Sequence, residues 1–237
     1  MMLSRSGKEV LIKVVAQSIP TYTMGVFLLP VKLCDKLNAL CARFWWGQVG
    51  NERKIHLKSW DSLSQPKNEG GMGFHDLRLF NLAMLAKQGW RMMHDHESFL
   101  FKCLKARYFP QCHFLDSVDS SNNSYVWKSI MSAMPILRSG CYWRVGNGES
   151  IRVSTDKWIP NYPSNKILHP VNEEGEEWRV SDLIDLDLHW WRQDIIMERF
   201  NRDEVEAICR IPLSRRYVPD SIVWLHNKNG VYSVRSG

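Results

Sequence analysis

Residues 31–47 read V-K-L-C-D-K-L-N-A-L-C-A-R-F-W-W-G, and they set the pattern for the first half of the chain. Apolar residues recur there at spacings of three and four, which is the period of a helix with one apolar face. Pro30 suits the first turn of such a helix, and Gly47 suits its end. The stretch therefore predicts an amphipathic helix whose apolar positions are Val31, Cys34, Leu37, Leu40, Cys41, Phe44 and Trp45.

Similar helical signals lie on both sides of this stretch. Before it, residues 6–9 begin a helix that ends before Pro20, and residues 22–29 read as an extended segment. The apolar stripe of that first helix consists of Val10, Leu11, Val14 and Val15. After it, Asp76 caps a helix that reaches Met93, and a further helix runs near residues 98–108. The first half is therefore predicted to be helical.

The second half mixes helices with two β-hairpin signals. A polar run at residues 116–124 reads as a linker or long loop, and Ser124 then begins a helix to about Leu137. Two pairs of β-rich runs each flank an Asn-Gly turn, which is a strong hairpin signal. The predicted pairs are 142–145 with 150–153, and 222–226 with 231–234. Short helices are predicted at 181–184, 190–200 and 203–209. The predicted fold class is α+β.

The net charge of +6, from 31 Lys and Arg against 25 Asp and Glu, is unevenly distributed. Residues 1–115 hold 16 basic and 8 acidic residues, a balance of +8. Residues 116–237 hold 15 and 17, a balance of −2. A basic half favours a polyanionic partner, because Lys and Arg displace counterions around phosphate. A solvated basic surface without a ligand has the same composition, so charge alone leaves both readings open.

The cysteines and the hydropathy indicate an intracellular protein, nuclear or cytoplasmic. None of the six cysteines forms a C-x-x-C pair, and several lie in helical apolar patterns, as reduced buried thiols do. The uncharged run at residues 14–31 is interrupted by polar side chains and by Pro20 and Pro30. We therefore expect no membrane-spanning segment and no membrane partner.

The sequence lacks the patterns that carry chemistry. A polymerase or nuclease needs clustered carboxylates, and no Asp-Asp pair occurs. The densest acidic group alternates with leucine and isoleucine, as an acidic face does; it consists of Asp182, Asp185 and Asp187. A second group has zinc-binding residue types but no zinc-site spacing; it consists of His94, His96, Cys103, Cys112 and His113. We expect no catalytic residue, no metal and no cofactor.

A binding surface is the remaining candidate. Arg53, Lys54 and Lys58 lie in a turn-rich segment that also carries tryptophans, at positions 45, 46 and 60. Cations that track phosphates beside aromatic rings are typical of single-strand or hybrid binding. The same tryptophans are equally suited to anchor a core, in which case the cations only solvate a loop.

Several longer motifs resemble plant members of the non-LTR, long-interspersed-type retrotransposon reverse transcriptases. They include S-R-S-G-K-E-V-L-I-K-V-V-A-Q-S-I-P-T-Y at 4–22, L-C-D-K-L-N-A-L-C-A-R-F-W-W-G at 33–47 and K-I-H-L-K-S-W-D-S-L-S-Q-P-K-N-E-G-G-M-G-F at 54–74. Later ones are N-L-A-M-L-A-K-Q-G-W-R at 81–91, L-K-A-R-Y-F-P at 104–110, W-R-V-G-N-G at 143–148, D-K-W-I-P at 156–160 and N-G-V-Y-S-V-R-S-G at 229–237. The resemblance covers essentially the whole chain in order.

The resemblance implies a place after the polymerase core and before the zinc-binding and RNase H parts of the family. It implies a basic, thumb-like helical region at 1–115 and a mixed connector region at 116–237 that stops before the zinc-binding module. The expected partners are RNA or an RNA–DNA hybrid and other domains of the parent polyprotein. In a thumb-like region, Lys8 and Lys13 are expected to join Arg53, Lys54 and Lys58 in one basic surface. A protein–protein scaffold and a degenerate reading frame without selected function are the alternatives.

Overall fold

The computed structural model describes residues 3–48, 54–120, 122–169, 178–185 and 188–237. The chain divides into two compact units. Unit 1 comprises Met1–Arg138 with Ser233–Gly237, and unit 2 comprises Ser139–Tyr232. The predicted α+β class is confirmed, with two small antiparallel sheets. The division at 115/116, which rests on charge and on the family resemblance, stays a prediction.

Unit 1 is helical. Its helices are α1 Arg5–Val10, a π-helix Leu11–Ala16, α2 Thr21–Met24, α3 Val31–Trp45, α4 Trp60–Ser64, α5 Leu77–His94, α6 Phe99–Tyr108, α7 Tyr125–Ser132 and α8 Met134–Gly140, with 3₁₀ turns at Lys67–Glu69 and Phe114–Asp116. The helix predicted at 31–47 is confirmed. Cys34 and Cys41 face inward as predicted, whereas Leu40 and Phe44 at the edge of the same stripe are exposed.

The first helix turns its apolar stripe outward, contrary to the usual orientation of such a stripe. Val10 and Val14 are 57% and 65% exposed, and Ile12 is buried instead. The cause is the π-helical turn, in which the Gln17 N–H bonds the Ile12 carbonyl at 2.9 Å. A π-helix places residues five apart on one face, so Ile12 and Gln17 point inward together. The prediction of an extended segment at 22–29 is also wrong for its first residues, because they belong to α2.

Three buried amide side chains hold unit 1 together. Asn81 donates to the carbonyls of Met24 at 2.8 Å and Phe27 at 2.9 Å, and accepts from the Leu29 N–H at 2.7 Å. Gln17 makes a two-way pair with the main chain of His75, and Asn38 accepts from the Leu77 N–H. Buried amides are stable only when bonded in this way, so each fixes a connecting segment against a helix.

The C-terminal part of unit 1 packs around an aromatic cluster. Trp127 is fully buried, with the rings of Tyr108 and Phe109 stacked on it at 4.6 Å and 5.6 Å. The Tyr108 hydroxyl also bonds the hydroxyl of Ser124, which caps α7. The motif L-K-A-R-Y-F-P therefore supplies core aromatics, which accounts for its residue types without a ligand.

Both sheets and two helices lie in the part of unit 2 that the structure describes. Strand β1 Cys141–Arg144 pairs antiparallel with β4 Ser221–Trp224, and β2 Ile184–Asp185 pairs with β3 Trp190–Trp191. The helices are α9 Gln193–Arg199 and α10 Arg202–Cys209, with 3₁₀ turns at Pro163–Asn165 and Val180–Leu183. Trp158, of the motif D-K-W-I-P, is buried at the centre and donates its indole N–H to the Val153 carbonyl at 3.0 Å.

The strand partners differ from the two predicted hairpins. Residues 142–144 pair with 221–223, not with 150–153, and residues 231–234 form no strand. The reason is the Gly146–Ser150 loop, whose N–H groups at 146, 148 and 150 all donate to the Asp220 carboxylate at 2.7–2.9 Å. A carboxylate that accepts three N–H bonds fixes the loop open, so the chain does not fold back on itself. Gly148, at φ +77, leaves no room for a Cβ beside the main chain of Ser181.

Among the described residues, no helix combines the length and the apolar character needed to cross a bilayer.

Candidate nucleic-acid interface

The candidate interface is built on residues 54–75, the turn-rich segment that follows α3. Leu63 of α4 and Phe74 are buried and fix this segment onto Ile12 and Cys41. Its glycine cluster makes a tight reversal: the Gly71 and Gly73 N–H groups bond the carbonyls of Pro66 and Gln65. A Cβ on Gly71 would lie 1.9 Å from the Gln65 carbonyl oxygen, so only glycine fits there.

The tryptophans of this region belong to its small core. The Trp60 ring stacks on Phe74 at 5.1 Å with an interplanar angle of 3°, and Trp45 meets the same ring edge-on at 5.2 Å. Trp46 stacks on His56 at 5.8 Å. All three indoles are partly buried. Of the two roles that the sequence left open for the tryptophans, the role of core anchor fits this packing, and phosphate binding by the neighbouring cations stays a prediction.

Two of the candidate lysines converge on the end of α3. The Lys8 ammonium donates to the Trp45 carbonyl at 3.3 Å. A Cβ placed on Gly47 would lie 2.8 Å from the Lys8 Nζ and 3.8 Å from the Lys54 Nζ. The last carbonyls of a helix carry partial negative charge, which favours a cation there. Lys8 therefore completes the end of the helix, and Lys54 lies exposed beside it.

The other two described lysines lie further along the same segment. The exposed Lys58 donates to the Gly70 carbonyl at 3.0 Å. Lys13 is less accessible: its Nζ donates to the Met72 carbonyl at 2.7 Å and to Glu9 at 2.8 Å, and lies 5.5 Å from the centre of the Phe74 ring. Lys13, Lys54 and Lys58 therefore lie on or contact the 54–75 segment, and Lys8 lies beside Lys54 at the end of α3. Lys54 and Lys58 are the more open pair. The fifth candidate, Arg53, lies outside the described residues.

Sequence reasoning missed one cation and its counter-charge. Glu9 binds two ammonium groups, those of Lys13 at 2.8 Å and Lys67 at 3.0 Å. The hydrogen bond from Lys13, followed by that from Lys67, lowers the pKa of the Glu9 carboxyl. Lys67 therefore adjoins the candidate surface. The i,i+4 spacing of Glu9 and Lys13 was visible in the sequence, but the approach of Lys67 depends on the glycine reversal.

No metal centre forms in the part of the chain that the structure describes. There, no group of three or more His, Cys, Asp or Glu side chains is arranged to hold an ion. His94 stacks on Trp90 at 4.1 Å, and its Nδ1 lies 3.0 Å from the Trp90 carbonyl. In the predicted acidic face, the Asp182 carboxylate accepts the Arg179 N–H at the start of a 3₁₀ turn. The Asp185 carboxylate accepts the Leu188 N–H. Asp187 lies outside the described residues.

Comparison with known proteins gives two plant relatives. The chain is 37% identical over 143 residues to the "Uncharacterized mitochondrial protein AtMg00310" of Arabidopsis thaliana, a match that covers 60% of this chain and 93% of that protein. The chain belongs to the AtMg00310 family. Its relatives also include the "Putative ribonuclease H protein At1g65750" of the same plant, 32% identical over 246 residues. That match covers 99% of this chain and 38% of the relative's length.

No family model and no solved structure matches the chain. The AtMg00310 family and the longer relative are consistent with an origin in a plant retrotransposon, the class of element that the sequence motifs resemble.

Proposed function

We propose that this chain is the part of a plant non-LTR reverse transcriptase that follows the polymerase core, and that unit 1 contacts an RNA–DNA template–primer without performing chemistry itself. The observation that carries the proposal is the pair of exposed lysines on the 54–75 segment, Lys54 and Lys58, with Lys8 beside Lys54 at the end of α3. The match to a relative named for ribonuclease H, an activity directed at RNA paired with DNA, supports the choice of ligand.

The geometry suggests different roles for the candidate cations. Lys54 and Lys58 are exposed and would bind phosphates directly, together with Arg53. Lys8 and Lys13 are half-buried, and their ammonium groups bond the end of α3 and the Glu9 and Met72 oxygens respectively, so their first role is structural. Contacts of this kind read charge and groove shape rather than base sequence. The proposed binding is therefore weak and independent of sequence.

The test is a triple variant, Arg53→Ala, Lys54→Ala and Lys58→Ala, measured against RNA–DNA hybrids of several sequences at increasing salt. Affinity should fall by a similar factor on every sequence, and the slope of log affinity against log salt should flatten by about two to three. The matched control replaces three exposed lysines elsewhere in unit 1, Lys32, Lys36 and Lys87, and should change the slope less.

The variant Trp45→Ala separates binding from folding in the same assay. Because Trp45 packs against Phe74, it should lower the melting temperature and leave the salt slope unchanged in the protein that remains folded. A triple variant that binds hybrid as tightly as the parent, with the same salt slope, would refute the nucleic-acid proposal.

A scaffold role is the second candidate, and exposed apolar side chains between residues 10 and 22 favour it. Val10, Val14, Ile19 and Tyr22 are each more than half exposed. Exposed apolar side chains that form a contiguous patch mark a protein contact. Docking through it would persist at high salt, whereas phosphate contacts would weaken steeply. Unchanged binding by the triple variant would leave this candidate ahead.

A further inference from the structure

Unit 1 contains a cleft of about 1140 Å³ beside the 54–75 segment. Part of its lining is apolar and consists of Met72, Leu79 and Phe80 with the buried Phe74. The lining also contains the polar side chains of Gln65 and Asn68 and the cations Lys13 and Lys67. A cleft of this size, with apolar walls and a few polar groups, has the character of a site for a small organic group.

We infer that this cleft receives the base of an unpaired nucleotide from single-stranded nucleic acid next to the hybrid. The inference rests on the proposed function and adds to it a second site with a different chemistry. Lys54 and Lys58 contact the backbone of the duplex, and the cleft holds a base from the strand that continues beyond it.

The aromatic pair at the cleft suits a nucleobase. The imidazole of His75 stacks on Phe80 with centroids 4.3 Å apart and an interplanar angle of 12°. Although His75 as a whole is exposed, packing against its ring desolvates the imidazole, and with the charge of Lys13 this lowers the pKa of His75. This shift favours the uncharged ring, which offers a flat face to a base. Stacking of this kind tolerates any base.

Charge favours a base over a bare phosphate in the interior of the cleft. Lys13 and Lys67 share the carboxylate of Glu9, and the other charged side chains of the lining are Asp61, Asp76 and Arg235. The interior is therefore close to neutral, which disfavours a free phosphate ion. The amides of Gln65 and Asn68 can both donate and accept, as the edge of a base requires.

The cleft is continuous with the proposed duplex surface. Lys58 bonds the carbonyl of Gly70, and Gly70 directly follows the 3₁₀ turn that carries Lys67 into the cleft lining. Lys13 lines the cleft and bonds Met72 of the same segment. Lys58 of the proposed duplex surface therefore adjoins residues that line the cleft, and we expect a strand that leaves the duplex there to reach it.

The test compares a blunt RNA–DNA hybrid with the same hybrid carrying a short single-stranded overhang. The full chain should bind the overhang hybrid about five-fold more tightly or better, the effect of one stacked base. His75→Ala should remove that advantage and leave affinity for the blunt hybrid unchanged. The substitution spares the fold, because Gln17 bonds the main chain of His75 and not its ring.

A second variant blocks the cleft with little risk to folding. Leu79 is 68% exposed on α5, so the fold should tolerate Leu79→Glu. The substitution places a carboxylate in the apolar part of the cleft lining and should also abolish the advantage of the overhang. The matched control is Leu40→Glu, at a residue 56% exposed on α3 and outside the cleft lining, which should keep the advantage.

The outcomes separate this inference from the proposed function. Equal affinity for blunt and overhang hybrids overturns the cleft site, and it leaves the duplex contact standing if the triple lysine variant still weakens both. An overhang advantage that survives both cleft variants also overturns it. Binding that requires the overhang and is lost in His75→Ala supports the cleft and overturns the duplex contact. Binding of neither ligand overturns both.

Discussion

Replacing Asn81 with alanine should destabilise unit 1 more than any surface change in it. The side chain is 1% exposed and makes three hydrogen bonds to the chain between α2 and α3, at 2.7–2.9 Å. Alanine leaves the carbonyls of Met24 and Phe27 and the N–H of Leu29 without these partners. At about 1 kcal/mol for each bond, we expect a loss of about 3 kcal/mol in the free energy of unfolding.

For a unit of this size, each kcal/mol lowers the melting temperature by about 3 °C, so Asn81→Ala should melt about 10 °C below the parent. The control is Asn68→Ala, at an exposed asparagine, which should melt within about 2 °C of the parent. Hydrogen exchange provides a local readout, because the Leu29 amide should exchange faster even where the unit stays folded. An Asn81→Ala protein that melts with the parent and protects Leu29 equally would refute the view that this amide holds the segment.

Two further predictions concern contacts of Asp220 and Glu9, and two concern catalysis and zinc. Asp220→Ala should destabilise unit 2 by about 3 kcal/mol, seen by thermal melting and as faster exchange of the Gly146 and Gly148 amides. Because folding lowers the pKa of Glu9, its ion pairs stabilise unit 1 fully at pH values above the ordinary pKa of 4.5. This stabilisation is lost as the pH falls through the lowered pKa of the folded state, so Glu9→Gln should flatten the acid limb of a stability–pH profile. Purified chain should extend no primer and cut no nucleic acid with Mg²⁺ or Mn²⁺; chelator-sensitive primer extension would contradict this. Elemental analysis should find far less than one zinc per chain, and one zinc lost on mutating Cys112 or His113 would prove the expectation wrong.

Sequence periodicity predicted the long helices and failed where the helix period changes. The apolar spacings in 31–47 predicted α3, and the cap at Asp76 predicted the start of α5. Both predictions hold because both elements are regular α-helices. Val10 and Val14 were assigned to a stripe on the assumption of 3.6 residues per turn, and the π-helical turn puts Ile12 inside instead. A one-turn change in period leaves no clear mark in composition.

The strand partners and the candidate site depend on contacts distant in sequence. The Asn-Gly turn at 147–148 is a good local hairpin signal, but Asp220 captures that loop, and a local window cannot include it. Lysine composition predicted the 54–75 segment as part of a basic surface, which stays a prediction. Composition alone does not tell the accessible Lys54 from the less accessible Lys13, whose ammonium bonds the Glu9 carboxylate and the Met72 carbonyl.

The pairing of β1 with β4 also sets the order in which unit 2 can form during synthesis on the ribosome. Residues 141–144 emerge long before their partners at 221–224, so the edge of this strand that pairs with β4 must wait while most of the unit is made, although the Trp143 N–H can bond the Lys157 carbonyl sooner. The contacts among α1, α3 and α5 of unit 1 are closer in sequence and can form meanwhile, because short loops close faster than long ones. Until residue 224 emerges, that edge of β1 is open to pairing with other chains. Nascent unit 2 therefore carries an open strand edge until most of it has been made.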